Sequence, residues 1–122
     1  MNACRVALAA LAVSACATDT LVGGEPRVVS GMDIAPYEFH EECASLVPGD
    51  RLDYRFETRF PGHFEIYYKD GLAHVAAVTR DDVTAESGIY PVVRASRYCV
   101  RWDAGRAGNR LDFRVRVMRV GK

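Results

Sequence analysis

The chain has 122 residues, 49% of them hydrophobic and 26% charged, a balance that fits one globular domain and argues against disorder or repeats. Sixteen basic side chains offset sixteen acidic ones, so no global field favours DNA, RNA or an acidic polymer as partner. Nucleic acid is therefore not expected.

Arg5 and the amino terminus precede an uninterrupted run of small apolar residues over 6–15, the layout of an export signal. The run is too short to cross a bilayer, which takes about 20 residues. It closes on Val13-Ser14-Ala15-Cys16, which resembles the lipobox of bacterial lipoprotein signals. That resemblance implies a signal over residues 1–15, acylation of Cys16, and a protein held on the periplasmic side of the cell envelope. Ala15 and Ala17 also form an A-x-A cleavage site, and that alternative releases a soluble secreted chain.

With Cys4 lost in the signal and Cys16 acylated, Cys43 and Cys99 remain, and in an exported chain such a pair is expected to form a disulfide. Residues 16–34 include Gly23, Gly24, Pro26 and Gly31 and little bulky apolar content, which predicts a flexible tether with one short candidate strand over 27–30. The folded domain is expected over residues 35–122.

From Asp50 onward the pattern is all β. Leu52, Tyr54 and Phe56 alternate with charged residues. Phe60-Pro61-Gly62 predicts a turn, and Phe64, Ile66 and Tyr68 follow with period two. Asp70-Gly71 suits a two-residue type I′ hairpin, with Ile66 opposite Val75 and Phe64 opposite Ala77. Residues 80–88 read as a polar loop with a short strand near Val83. Ile89 opens another short strand, with Pro91 marking an edge or a bulge.

Residues 97–103 alternate Tyr98, Val100 and Trp102 on one face with Arg97, Cys99, Arg101 and Asp103 on the other, which predicts a central strand with one buried side. Cys99 on the polar parity puts the expected bridge on an outer face. Leu111, Phe113, Val115 and Val117 give the last strand. Matching the two core faces, and setting Arg101 against Asp112 and Asp103 against Arg110, predicts a hairpin with Trp102 opposite Leu111 and a loop over 104–109.

Short strands separated by Gly and Pro turns indicate an all-β antiparallel sandwich, jelly-roll-like in size, with one disulfide. The segments 49–56, 64–66, 86–90, 98–102 and 111–115 resemble the strand series of GOLD (emp24-type) domains, a likeness that spans roughly residues 43–120. It implies a β-sandwich that binds or interacts without catalysing a reaction. Serine and glycine at 87–88, followed by an aromatic and later by Trp102, resemble small lipoprotein inhibitors of lysozyme.

His40, His63 and His74 fall in separate segments with no nucleophile beside an oriented base, and His40-Glu41-Glu42 lacks the second histidine of a helical zinc site. Asp81-Asp82 lacks the spaced oxygen ligands and glycine of a calcium loop. No catalytic residue, metal site or cofactor is predicted. The candidate binding face is Arg97, Arg101, Arg114 and Arg116, which the expected hairpin would unite as a surface for an anionic ligand or an acidic partner.

The sequence thus predicts a non-catalytic, lipid-anchored envelope module whose partners are the membrane, through its anchor, and an unknown envelope protein or anionic ligand. The alternatives are an inhibitor of an envelope-directed hydrolase acting through the 103–110 loop, and a periplasmic metal-binding protein.

Overall fold

The computed structural model describes residues 19–121. The signal segment and Cys16 lie outside the described residues. Six antiparallel strands follow in order: β1 (Arg27–Ile34), β2 (Phe39–Leu46), β3 (Arg51–Asp70), β4 (Ala73–Pro91), β5 (Ser96–Asp103) and β6 (Asn109–Met118). No helix occurs among the described residues.

β3 has 20 residues. Kept straight it would span roughly 66 Å, far more than a domain of this size can cover, so it bends and serves two layers. Residues 51–58 pair with β6, residues 63–68 pair with β5, and β4 follows β3 along both halves. The first layer is therefore β1, β6 and the early halves of β3 with the end of β4. The second is β2, β5 and the remaining halves.

The layers face each other across one aromatic core. Trp102 of the second layer stacks on Phe113 of the first at 4.7 Å between ring centroids, and Phe56 and Phe64 each lie 5.9 Å from it. Tyr98, Val100, Leu111, Val115 and Val117 complete the interior, all under 2% exposed. The alternation along β5 and β6 buries the faces expected of it.

Three local devices hold the bend. Gly62 sits where a side chain would lie 3.0 Å from the Asp103 carbonyl oxygen, so the strands close up only over glycine. Asn109 acts as a substitute strand partner: its Nδ2 donates to the Phe60 carbonyl at 2.9 Å, and its Oδ1 accepts from the Phe60 amide at 3.0 Å. On β4, Asp82 takes a positive φ of 55°, which aspartate tolerates better than bulky residues. The expected turn at residues 60–62 is thus a bend inside a continuous strand.

Other expectations shift for related reasons. Residues 80–88 are strand, because β4 is the edge of both layers and an edge tolerates polar side chains that a central strand would not. The β3–β4 turn is Gly71-Leu72, with Asp70 paired to Ala73. Gly71 alone has positive φ, the signature of a type II′ turn, where the expected type I′ needs two such residues. A bulge after Ile66 then places Ile66 opposite Val78 and Phe64 opposite Arg80.

The expected β5–β6 hairpin does not form. β5 lies between β2 and β3, and β6 lies between β1 and β3, so residues 104–108 carry the chain from one layer to the other. Arg101 faces Glu41 and Glu65, and Asp103 faces Phe39 and His63. Core matching between these strands is met face to face, by Trp102 on Phe113, instead of side by side.

The disulfide joins Cys43 and Cys99, a directly opposed β2–β5 pair with Cα atoms 4.1 Å apart, on the outer parity of the second layer as expected. With a sequence separation of 56, the chain-entropy account gives it about 4 kcal/mol.

The expected tether is largely absent. The Thr20 and Leu21 amides donate to the Cys43 carbonyl, and the Ser45 amide donates to Asp19 Oδ2 at 2.8 Å, so residues 19–21 cover the free edge of β2. Leu21 is 5% exposed, and β1 then pairs along β6. The folded domain begins by residue 19, not 35.

Replacing Asn109 by alanine strands the Phe60 amide and carbonyl at the bend. We expect a loss of about 2 kcal/mol, read as a fall in Tm of roughly 8–16 °C for a domain of this size. An unchanged Tm contradicts the role given to Asn109.

Candidate functional site

The four arginines expected on one face divide between two. Arg97 and Arg101 point outward from the second layer, Arg114 and Arg116 outward from the first, and the core lies between them. The reason is the strand order: β3 intervenes between β5 and β6, and its bend turns their outer faces away from each other.

The outer face of the second layer is internally paired. Arg97 Nε binds Asp19 at 3.0 Å, and Arg101 forks onto Asp103 at 2.9 and 3.1 Å while its guanidinium lies 3.7 Å over the Phe39 ring. Tyr67 donates its hydroxyl to Glu41 at 2.6 Å, and burial together with that carboxylate pushes its pKa up to about 12. His74 stacks on Tyr67, bonds Glu65 at 2.5 Å and is paired with Lys69 on the neighbouring strand.

His63 lies 2.6 Å from Asp81 and 3.4 Å from Glu65. Burial alone would lower the His63 pKa, but the hydrogen bonds to Asp81 and Glu65 outweigh it and the net shift is upward. Glu65 moves the other way: burial would raise it, and the two histidines hold it low. His40 lies on the opposite, inner parity of the layer, bonded to the buried Glu42 at 2.6 Å. His63 and His74 thus meet on Glu65, and His40 does not join them. Glu41, Cys43 and Cys99 do group closely, but both sulfurs are spent in the disulfide.

The outer face of the first layer is organised differently. Across the β3–β6 pair, Arg55 stands directly opposite Arg114, Glu57 opposite Asp112, and Asp53 opposite Arg116, with Arg51 at the end opposite Met118. Opposed like charges on neighbouring strands cost about 0.2–1 kcal/mol. Among the described residues, Arg51, Arg55, Arg114 and Arg116 form no ion pair, and the Arg116 Nε is enclosed without a hydrogen-bond partner.

A groove of about 320 Å³ runs over this face, lined by Val28, Val29, Ser30, Arg55, Glu57 and Arg114 among others. The bulge between Val29 and Met32 on β1 forms its wall, fixed by the Gly31 amide donating to Asp112 Oδ1 at 2.6 Å. A second hollow of about 370 Å³ continues along the face beside Arg51, Arg116 and Arg119. The groove thus offers unneutralised guanidinium donors at one end and carboxylate acceptors at the other. Arg114 and Arg116 were legible as binding candidates; Arg51 and Arg55 were not, because their alternation with Leu52, Tyr54 and Phe56 reads equally well as a solvated face.

No family model matches the sequence, and no curated protein matches it. Solved structures of similar fold include a mutant of a family 29 carbohydrate-binding module made to probe ligand recognition, at TM-score 0.47 and 13% identity over 79% of this chain and 68% of that one, and a second mutant of a family 29 module at 0.46 and 11% over 79% and 72%. At these values the likeness concerns the arrangement of strands and carries nothing about a ligand.

Arg55→Thr removes the opposed arginine pair and keeps a good strand former. We expect stability to rise by about 0.2–1 kcal/mol at low ionic strength, seen as a higher urea midpoint that converges on the wild-type value in salt. A loss of stability contradicts the repulsion assigned to Arg55 and Arg114.

Proposed function

We propose that this chain is a non-catalytic binding module of the bacterial envelope, acylated at Cys16, whose ligand occupies the first-layer groove. The single observation that carries this reading is the Arg55–Arg114 opposition. Two arginines opposed across the β3–β6 pair, neither in an ion pair among the described residues, line a groove whose like-charge repulsion is relieved when an anion lies between them. Arginine favours planar carboxylate or phosphate groups, which accept two parallel hydrogen bonds from one guanidinium. The adjacent Glu57 and Asp112 suit a donor such as a hydroxyl or ammonium on the same ligand, so the preferred ligand carries an anionic group with a donor beside it.

The contrast between the two outer faces favours this placement over the one expected from sequence. Arg97 and Arg101 are already neutralised, and an anion there would compete with Asp19 and Asp103. The inhibitor and metal-binding readings have less support. The 104–108 segment is tied down by the Gly108 amide to the Gly105 carbonyl and by the Tyr37 amide to the same carbonyl, and His40 is bonded to Glu42, apart from the His63 and His74 that share Glu65.

Titration of the purified protein with inorganic phosphate and with an acidic dipeptide, followed by amide chemical shifts, tests this. Shifts are expected at Val28, Ser30, Arg55 and Arg114, with binding weakened tenfold or more by Arg114→Ala and unchanged by Arg101→Ala. Shifts confined to the Arg97–Arg101 face, or indifference to Arg114→Ala, overturn the assignment.

A further inference from the structure

One end of the sandwich gathers exposed apolar side chains. Leu72, at the tip of the β3–β4 turn, is 99% exposed, Val93 77%, Val120 51% and Val47 47%. They belong to four separate segments that Asp50 and Asp70 draw together. Asp50, fully buried, accepts from the Val47 amide at 3.0 Å and the Val120 amide at 2.9 Å, and its own backbone carbonyl takes the Val92 amide at 2.9 Å. Asp70, beside Leu72, binds Arg94, beside Val93, at 2.8 Å. The buried Asp50 thus fixes the Val47, Val92 and Val120 segments, and the exposed Asp70–Arg94 pair links the Leu72 turn to them.

The chain enters the domain at this same end. Asp19 is held by the Ser45 amide and by Arg97, a pair one residue from the ends of β2 and β5. From Thr20 at Cys43 to Asp19 at Ser45, the backbone heads toward residues 47–50. Cys16 precedes Asp19 by three residues, which extend at most about 10 Å. An acyl-bearing cysteine there cannot hold the domain far from the bilayer; it brings the Leu72–Val93 end against it.

We propose that this end, Val47, Leu72, Val93 and Val120 with Lys69 and Arg51 at its rim, docks on an anionic phospholipid surface and sets the domain upright on the membrane. The proposal rests on the acylation of Cys16. Asp50 and Asp70 are committed to Arg119 and Arg94, whereas Lys69 and Arg51 form no ion pair among the described residues, so the rim is cationic. Basic side chains near an anionic leaflet add to its attraction. The opposite end, with Tyr37 and Phe60 exposed, then points away from the membrane, and the arginine groove stands along the side, open to the periplasm.

The test uses full-length acylated protein reconstituted into phosphatidylglycerol and phosphatidylethanolamine vesicles with brominated acyl chains. Trp102 is 2% exposed in the core and serves as the unquenched background. In Leu72→Trp the added emission is expected to shift blue and fall by at least half against unbrominated vesicles, while in Phe60→Trp it stays unchanged. Co-flotation with vesicles, lost in Cys16→Ser, reports the anchor separately. Protein that floats but leaves Leu72→Trp unquenched overturns docking while the anchor stands. A blue shift without quenching assigns the patch to a second copy or a protein partner and overturns the lipid assignment. If the wild-type chain does not float, the acylation reading fails and the docking falls with it.

Discussion

A strand of 20 residues cannot stay in one layer of a domain this small, and the bend in β3 decides where nearly everything else lies. Because β4 follows it along both halves, one long hairpin forms the spine of both layers, and β5 and β6 attach to opposite halves of it. Gly62, Asn109 and Asp82 make the bend possible: one by having no side chain, one by replacing a lost strand partner, one by tolerating a left-handed backbone. The aromatic core of Phe56, Phe64, Trp102 and Phe113 then closes between the halves, so the bend and the core depend on each other.

This arrangement explains the reach and the limit of reading the sequence. Period-two alternation identifies which face of a strand is buried, and it placed Tyr98, Val100 and Trp102, the β6 series and the outer position of Cys99 correctly. It carries no information about which strand lies alongside. Trp102 and Phe113 satisfy the same pairing of apolar faces whether their strands are neighbours or face each other; matching the core faces as a hairpin took the first, and charge matching of Arg101 to Asp112 only set the register of a pair that does not form. The polar stretch at 80–88 looked like loop because an edge strand in both layers needs few apolar residues. The stretch before residue 35 looked like tether because Leu21 and a few backbone bonds to β2 hold its start, and β1 buries only Ile34 fully.

The candidate site follows the same logic. Cation-rich alternation was visible along the last two strands, but the face it builds depends on what lies beside β6. The answer is the first half of β3, which supplies Arg55 and Arg51 in place of Arg97 and Arg101. One outer face consumes its charges internally, through Arg101–Asp103, Tyr67–Glu41 and the histidine–carboxylate pairs. The other leaves arginines opposed and open. With the entry segment pinned at one end, the open face stands beside the proposed membrane contact and not beneath it, so anchoring and ligand access do not compete.

The placement of Arg55 against Arg114 is the point on which the fold and the proposed site both turn, and cysteine cross-linking reads it directly. In the double variant Arg55→Cys/Arg114→Cys, directly opposed positions allow a disulfide, and mild oxidation is expected to join residues 55 and 114 quantitatively, leaving the Cys43–Cys99 bridge intact on peptide mapping. In Arg101→Cys/Arg114→Cys, where the core separates the two positions, no intramolecular bridge is expected. Ready bridging of 101 to 114 with none between 55 and 114 would place β5 beside β6 and contradict the account.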